Sequence, residues 1–307
     1  MGRRKKGDPV SGWVIVDKPL GVTSTDTVSR VRRAYNAQKG GHAGTLDPLA
    51  TGILAVALGE ATKTVPFIMD ATKTYRFTVR FGIATDTDDR EGVPIATSEL
   101  RPSDHEIEAA LTCFTGEIDQ LPPRFSAVRV AGERAYDLAR AGEDVTLTPR
   151  RVTIHEARLV GRPDADHAEF EILCSKGTYV RSIARDMGEM LGCRGHIAVL
   201  RRTRVGPFGE AEAIPLDKIW SLGHSAADTE TLSAYLCPLE TALDDIPALA
   251  VSEQEAARLR QGQAVMMRGR DAPILSGSVL AMHRGNPVAL TEYERGELKP
   301  VRVFQLP

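Results

Sequence analysis

Cysteine is scarce: Cys113, Cys174, Cys193 and Cys237 stand far apart and form no CxxC pair. That excludes a disulfide scaffold, leaves no zinc-ribbon spacing and suits a reducing cytoplasm. No apolar run reaches the roughly 20 residues of a membrane-spanning helix. The basic start MGRRKK has no apolar stretch behind it, so no secretory signal is expected. Phosphate-loop patterns are missing too. Neither GxxxxGK(S/T) nor GxGxxG occurs, which argues against a nucleotide triphosphate or dinucleotide site. There is no GxSxG elbow for a serine hydrolase. The histidines are scattered, and His42 with Asp47 is too sparse for zinc, so no metal and no cofactor is expected. Net charge is also lacking, at −2.

Charge is present but segregated. Residues 1–65 carry ten Lys/Arg against five Asp/Glu, and residues 121–207 carry fifteen against eleven. Residues 83–120 carry two against ten, and residues 208–246 one against eight. Such a chain either gathers a basic face on a near-neutral protein or mixes its charges again in space.

The apolar pattern predicts α+β. GWVIVDK (12–18) reads as a buried strand entering a Pro-Leu-Gly turn. A helix over 23–36 is expected, N-capped by Ser24 or Thr25, with Val28, Val31 and Tyr35 on one face. ILAVALG (53–59), KTYRFTVRFG (73–82), RVTIHEARLVG (151–161) and HAEFEILC (167–174) read as strands. Ser103 with Glu106 forms a capping box for a helix that Gly116 would close. Residues 120–142 read as a Pro-Pro loop, a short strand, a turn at Gly132 and a helix. A further helix spans 178–192. Strands and helices do not alternate strictly, which predicts a mixed, largely antiparallel sheet with flanking helices. From about Leu249, short strands separated by Gly269, Gly285 and Gly296 suggest a small β-barrel.

One stretch concentrates the chemistry. GGHAGTLDPLATG (40–52) places Asp47 before Pro48 in a loop with four glycines. An aspartate there is commonly a turn residue. Its alternative is a catalytic carboxylate, and SKGTYVRSIARD (175–186) supplies a partner in Arg181 near the start of a helix. A buried Asp–Arg pair keeps a carboxylate ionised where water is excluded.

Together, VDKPLGVTS, GGHAGTLDPLATGILAVALGEATK, KTYRF, QLPPRFSAVRVAGERAYDLAR, CSKGTYVRSIARD and LRRTRVGPF, in that order, resemble the bacterial TruB-type tRNA pseudouridine synthases. The likeness spans about residues 12–210, and KPVRVF near the end resembles that family's PUA-like domain. The resemblance implies a catalytic domain over 1–246, with 120–151 as a mobile segment clamping RNA, and a PUA-like RNA-binding domain over 247–307. It implies isomerisation of the T-arm uridine at tRNA position 55, flipped out of its loop, with no cofactor, no membrane and no protein partner, by a cytoplasmic monomer. By motif position Asp47 is the catalytic carboxylate, Arg181 pairs with it and Tyr75 stacks on the target base. Tyr179 and Leu200 line the pocket, His42 helps hold the reorganised T-loop, and the loop's glycines let RNA backbone approach. Lys18 sits near the site or a phosphate, or is structural. A tRNA-folding chaperone without catalysis, or a guide-RNA-dependent synthase, are the competing readings.

Overall fold

Continuous apolar runs give strands buried on both faces, and alternating runs give strands at the margins of the same sheet. The computed structural model describes residues 7–126, 128–130, 133–134, 146–224, 229–267 and 276–306. In chain order the first strands are β1 (Gly12–Lys18), β2 (Gly40–His42), β3 (Ala50–Leu58) and β4 (Lys73–Phe81). A side hairpin follows, β5 (Ile83–Thr85) with β6 (Pro94–Thr97), then β7 (Gly116–Gln120). Next come the short pair β8 (Arg129–Val130) and β9 (Glu133–Arg134), then β10 (Arg150–Gly161), β11 (His167–Cys174), β12 (Gly195–Val205) and β13 (Ile214–Pro215).

Nine of these form one sheet, ordered β13-β1-β3-β12-β4-β11-β10-β7, with β2 attached to β3. Only β1–β13 and β3–β12 pair in parallel. The sheet is therefore mixed and largely antiparallel, as the pattern predicts. One edge of β3 is forked. Leu200–Arg202 of β12 pair with Ala50–Gly52, whereas β2 takes the same edge further on, at Val56–Leu58. The loop carrying Asp47 lies in the mouth of that fork.

Both faces of β1 are covered. Val14 and Val16 join the larger apolar cluster, with Val31 of α1 (Ser24–Ala34) and Ile183 and Met187 of the 180–190 helix. Trp13 and Ile15 face a second cluster with Ile68 of α2 (Val65–Asp70) and Phe208. Helix α1 is N-capped by Thr23, whose hydroxyl accepts from the Asp26 amide at 3.0 Å, and not by Ser24 or Thr25. Ser24 is used otherwise: it donates to the Leu46 carbonyl and accepts from the Leu46 amide, both at 2.9 Å. The capping box at Ser103 and Glu106 opens α3 (Asp104–Cys113). Gly116 does not close that helix. Phe114 is its C-cap, and Gly116, at φ +97°, opens β7. The following helix is α4 (Val180–Met190).

The C-terminal unit is a curled half-barrel of β14 (Ala248–Ala250), β15 (Val265–Met266), β16 (Gly277–His283), β17 (Asn286–Glu294) and β18 (Glu297–Val303), ordered β14-β16-β17-β18-β15. Gly285 and Gly296 make its turns at positive φ. The turn expected at Gly269 and the turn and helix expected after Val130 lie outside the described residues. Unforeseen in the sequence is a helix at Glu253–Arg260, started by a second capping box at Ser252 and Glu255. Leu280, Leu290 and Phe304 of this unit belong to the same apolar cluster as Trp13 and Ile15.

Candidate active site

The geometry of the Asp47 loop is set by an arginine absent from the sequence expectations. Arg202 of β12 is 1% exposed. Its Nε donates to the Ile53 carbonyl at 2.8 Å and its Nη2 to the Gly44 carbonyl at 3.1 Å. Those carbonyls lie at the two ends of the loop, where the fork leaves β3 without a strand partner. Buried main-chain groups must be satisfied, and the guanidinium supplies the donors. Arg202 also reaches the Tyr75 hydroxyl. The loop glycines answer to the same residue. Gly52, at φ +98°, would place a Cβ 2.2 Å from the Arg202 carbonyl oxygen, and Gly44, also at +98°, 3.4 Å from Arg202 Nη1. Gly52 thus admits the Arg202 main chain, whereas Gly44 is called for by its positive φ, a Cβ there meeting Arg202 at ordinary contact distance. Only Gly41 of this loop has open space at its Cβ position.

Asp47 projects from the loop with its side chain 38% exposed. Its Oδ2 lies 2.9 Å from Arg181 Nη2 on the first turn of α4. Arg181 itself is 6% exposed. The same guanidinium lies 3.5 Å from Asp89 Oδ2 and donates to the carbonyls of Thr87 at 3.1 Å and Phe125 at 2.9 Å. Asp89, also missed in the sequence, is fixed by the Thr87 hydroxyl at 2.7 Å and the Glu91 amide at 3.0 Å. One buried arginine thus joins a buried carboxylate to one that faces a cavity. The TDTDD run carried the signal, an acidic cluster in a turn.

The cavity measures about 530 Å³ and is lined by Asp47, Tyr75, Tyr179, Leu200, Met69 and Arg202, among others. That lies within the range of small-molecule sites, about 300–1,000 Å³. Burial pushes the Tyr75 and Tyr179 hydroxyl pKa values up, so both rings stay neutral. Exposed Arg150 and Arg151 at the start of β10 and Lys176 stand at its rim. A larger cleft of about 850 Å³ opens on the other face of β4, beside Thr74. Its arginines and carboxylates are mixed, as in the Arg158–Glu171 pair, and it contains none of the expected site residues.

Two expected residues stand outside the cavity. Lys18 is fully buried, and its Nζ donates to the carbonyls of Val22 at 2.8 Å, Pro19 at 3.0 Å and Pro48 at 3.3 Å. It is a tether under the Asp47–Pro48 turn, a structural role that is one of the two left open for it by the sequence. Burial lowers its pKa to about 8, with Asp47 acting against that and Arg202 adding to it. His42, half-buried at the end of β2, has its pKa lowered by burial and then by Arg202, and its buried Nδ1 has no hydrogen-bond partner among the described residues. Lys73 has a second capping role. Its Nζ donates to the carbonyls of Met69, Ile68 and Ala71 at the end of α2, and burial followed by Arg202 lowers its pKa to about 8.

With this geometry in hand, residues 32–180 match the model of the TruB family pseudouridylate synthase N-terminal domain, and residues 181–244 that of the tRNA pseudouridylate synthase B C-terminal domain. A Bradyrhizobium diazoefficiens protein named tRNA pseudouridine synthase B is 59% identical over 305 residues, covering 99% of this chain and 88% of that one. The chain belongs to the TruB family of pseudouridylate synthases. A second TruB relative, the tRNA pseudouridine synthase B of Caulobacter vibrioides, is 56% identical over all of both chains. Among solved structures, an archaeal box H/ACA sRNP Nop10–Cbf5 complex is similar at TM-score 0.73 and 25% identity, covering 99% of this chain and 93% of that one. A Cbf5–Nop10–Gar1 complex is similar at TM-score 0.73 and 26% identity, covering 96% and 84%. Among the described residues, no helix of this TruB-family chain is long and apolar enough to cross a membrane.

Proposed function

We propose that this chain isomerises a tRNA uridine to pseudouridine, and that its target is the T-arm uridine at position 55, flipped into the cavity beside Asp47. The observation that carries the reading is the Asp47–Arg181–Asp89 chain of charges ending at that cavity. In the reaction the C1′–N1 bond breaks and the base turns. C1′ then bonds C5, the C5 proton leaves and N1 gains a proton. Nothing is oxidised or reduced, so the chemistry calls for no electron carrier. Asp47 supplies the oxygen facing the ribose–base bond, and Arg181, 2.9 Å from it, pairs with that carboxylate and holds it in one orientation. Tyr75 offers its ring as a platform for the extruded base, at a flipping cost of a few kcal/mol. Arg150, Arg151 and Lys176 at the rim are placed to meet phosphates. We place the enzyme in the cytoplasm, acting as a monomer without a protein partner.

The test is single-turnover conversion on a bare T-arm hairpin, with filter binding of whole tRNA. Wild-type protein converts the hairpin unaided, and Asp47→Asn binds tRNA without converting it. Binding without conversion by the wild type would leave a folding chaperone, and conversion only with an added guide RNA would leave a guided enzyme. Turnover by Asp47→Asn near the wild-type rate would remove Asp47 from the mechanism.

A further inference from the structure

Two arginines one helical turn apart on α4 make parallel bridges. Arg181 spans Asp89 at 3.5 Å and the Phe125 carbonyl at 2.9 Å. Arg185 spans Asp88 at 3.2 Å and the Leu121 carbonyl at 2.8 Å. The tandem Asp88–Asp89 thus faces two successive turns of α4, and the chain leaving β7 runs across both. Ser182 donates to the same Leu121 carbonyl at 2.8 Å. Gln120 closes the register at the top of the helix, accepting from the Tyr179 amide at 2.7 Å and donating to the Tyr179 carbonyl at 3.1 Å. Asp88 adopts φ +60°, and its turn is pinned to β12 by the Ile197 amide at 3.0 Å and the Ile197 carbonyl, which accepts from Arg90 at 3.0 Å. A non-glycine residue in the left-handed region is uncommon and persists where its surroundings fix it. Neither Asp88 nor Arg185 lines the cavity.

We propose that Asp88 and Arg185 are positioning residues for the reaction: they clasp the Leu121–Phe125 stretch to α4 and so hold the Phe125 carbonyl where it completes the hydrogen bonding of Arg181, the partner of Asp47. The inference rests on the reading of Asp47 given above. Arg181 is buried, and each of its N–H groups needs an acceptor. Its Nη2 serves both Asp47 and Phe125, so a shift of the Phe125 carbonyl tilts the guanidinium plane against the carboxylate. Errors of that size at a reacting group are costly in rate. An exposed ion pair would do little of this. Here the side chains of Arg185 and Asp88 are only 19% and 12% exposed.

The charges facing Asp88 support the assignment. Arg181, Arg185 and Asp186 face it from α4, Asp89 lies beside it in the turn, and His196 of β12 lies near Asp89. Burial raises the Asp88 pKa to about 6 against the pull of both arginines. The ionised group is therefore held at a cost, and its neutral replacement relieves the fold. Arg185 keeps Asp186 at 2.8 Å when Asp88 is neutralised.

Asp88→Asn, Arg185→Lys, Arg185→Met and the Asp88→Asn/Arg185→Met double variant of the full chain test this. The readouts are single-turnover rate, filter binding of tRNA, melting temperature and hydrogen exchange at the Leu121, Arg124 and Phe125 amides, Pro122 and Pro123 having none. Asp88→Asn and Arg185→Met are expected to slow conversion by about tenfold or more with tRNA affinity within about threefold. Arg185→Lys recovers part of the rate, and the double variant is no slower than Arg185→Met alone, as for two members of one bridge. Exchange rises in 121–125, while Asp88→Asn melts no lower than wild type at pH 7.5. Wild-type rates in Asp88→Asn and Arg185→Met, rate losses that multiply in the double variant, or losses matched by tRNA affinity would overturn the proposal. Should the wild type fail to make pseudouridine, the functional reading falls, yet unchanged exchange in 121–125 still refutes the clasp and raised exchange still supports it.

Discussion

Arg202 shows how a single side chain can replace a missing strand. It stands in the fork of β3 and answers the Gly44 and Ile53 carbonyls. An orphaned buried carbonyl costs about 1–3 kcal/mol. Arg202→Met is therefore expected to lose about 2–4 kcal/mol in denaturant unfolding, and Arg202→Lys to recover less than half, having lost the planar fork. Unchanged stability in Arg202→Met would mean that water satisfies both carbonyls. The two buried lysines give a pH signature. Lys18 and Lys73 have folded pKa values of about 8 against an ordinary 10.5, so their charged forms are the disfavoured ones in the fold. Their contribution to stability is lost as pH falls through about 8 and is regained toward 10.5. Function runs the other way: a neutral Lys18 amine has two N–H groups for three carbonyls. Single-turnover rate is expected to decline above about pH 8 while these two lysines favour the fold, and a flat rate to pH 9.5 would exclude the tether. At this scale the sequence carried Asp47, Arg181, Tyr75, Tyr179 and Leu200 through motif position. It hid Arg202 because nothing in LRRTR distinguishes the buried arginine until the stretch is recognised as a strand. Period two then puts Arg202 on the cavity face with Leu200.

Elements differed in legibility for physical reasons. β4, β10 and β11 announce themselves by alternation, and the Ser103 capping box announces α3. β2 was invisible because GGH has no strand-forming side chain. β12 was masked by its arginines. Gly116 misled because a glycine at positive φ serves a strand's entry as readily as a helix's end. The fork makes a paired prediction about two glycines of the same loop. Gly52→Ala forces a Cβ to 2.2 Å from main chain at φ +98°, whereas Gly41→Ala meets nothing within 4 Å. Gly52→Ala is expected to cost at least about 3 kcal/mol or yield no soluble protein, and Gly41→Ala less than about 1 kcal/mol, in the same unfolding assay. Similar losses in both would mean that β12 does not press on the loop.

The whole molecule joins its two units by more than a linker. Lys63 Nζ donates to the Val303 carbonyl at 2.6 Å, and the Gln305 amide to Glu60 at 2.8 Å, beside the shared apolar cluster. Removing residues 248–307 takes Leu280, Leu290 and Phe304 out of the apolar cluster that also holds Trp13 and Ile15. Truncation is expected to lower both the denaturation midpoint and tRNA affinity, since each large apolar side chain uncovered costs about 1.5–3 kcal/mol. An unchanged midpoint would show the units to be independent. Affinity of the intact chain for tRNA is expected to fall with rising salt through counterion release, and a salt-independent Kd would refute a phosphate-binding rim. The separate C-terminal sheet was legible from the run of short strands after Leu249, but the apolar cluster it shares with β1 was not, because such adhesion leaves no periodic trace. The fork bears also on the timing of synthesis. Arg202 follows Ile53 by 149 residues, so the loop that bears Asp47, already held by Ser24 and Lys18, lacks this further brace until about two-thirds of the chain has emerged from the ribosome. Contacts so distant in sequence form late. The nascent chain therefore carries the Asp47 loop only partly fixed until β12 has been made and inserted.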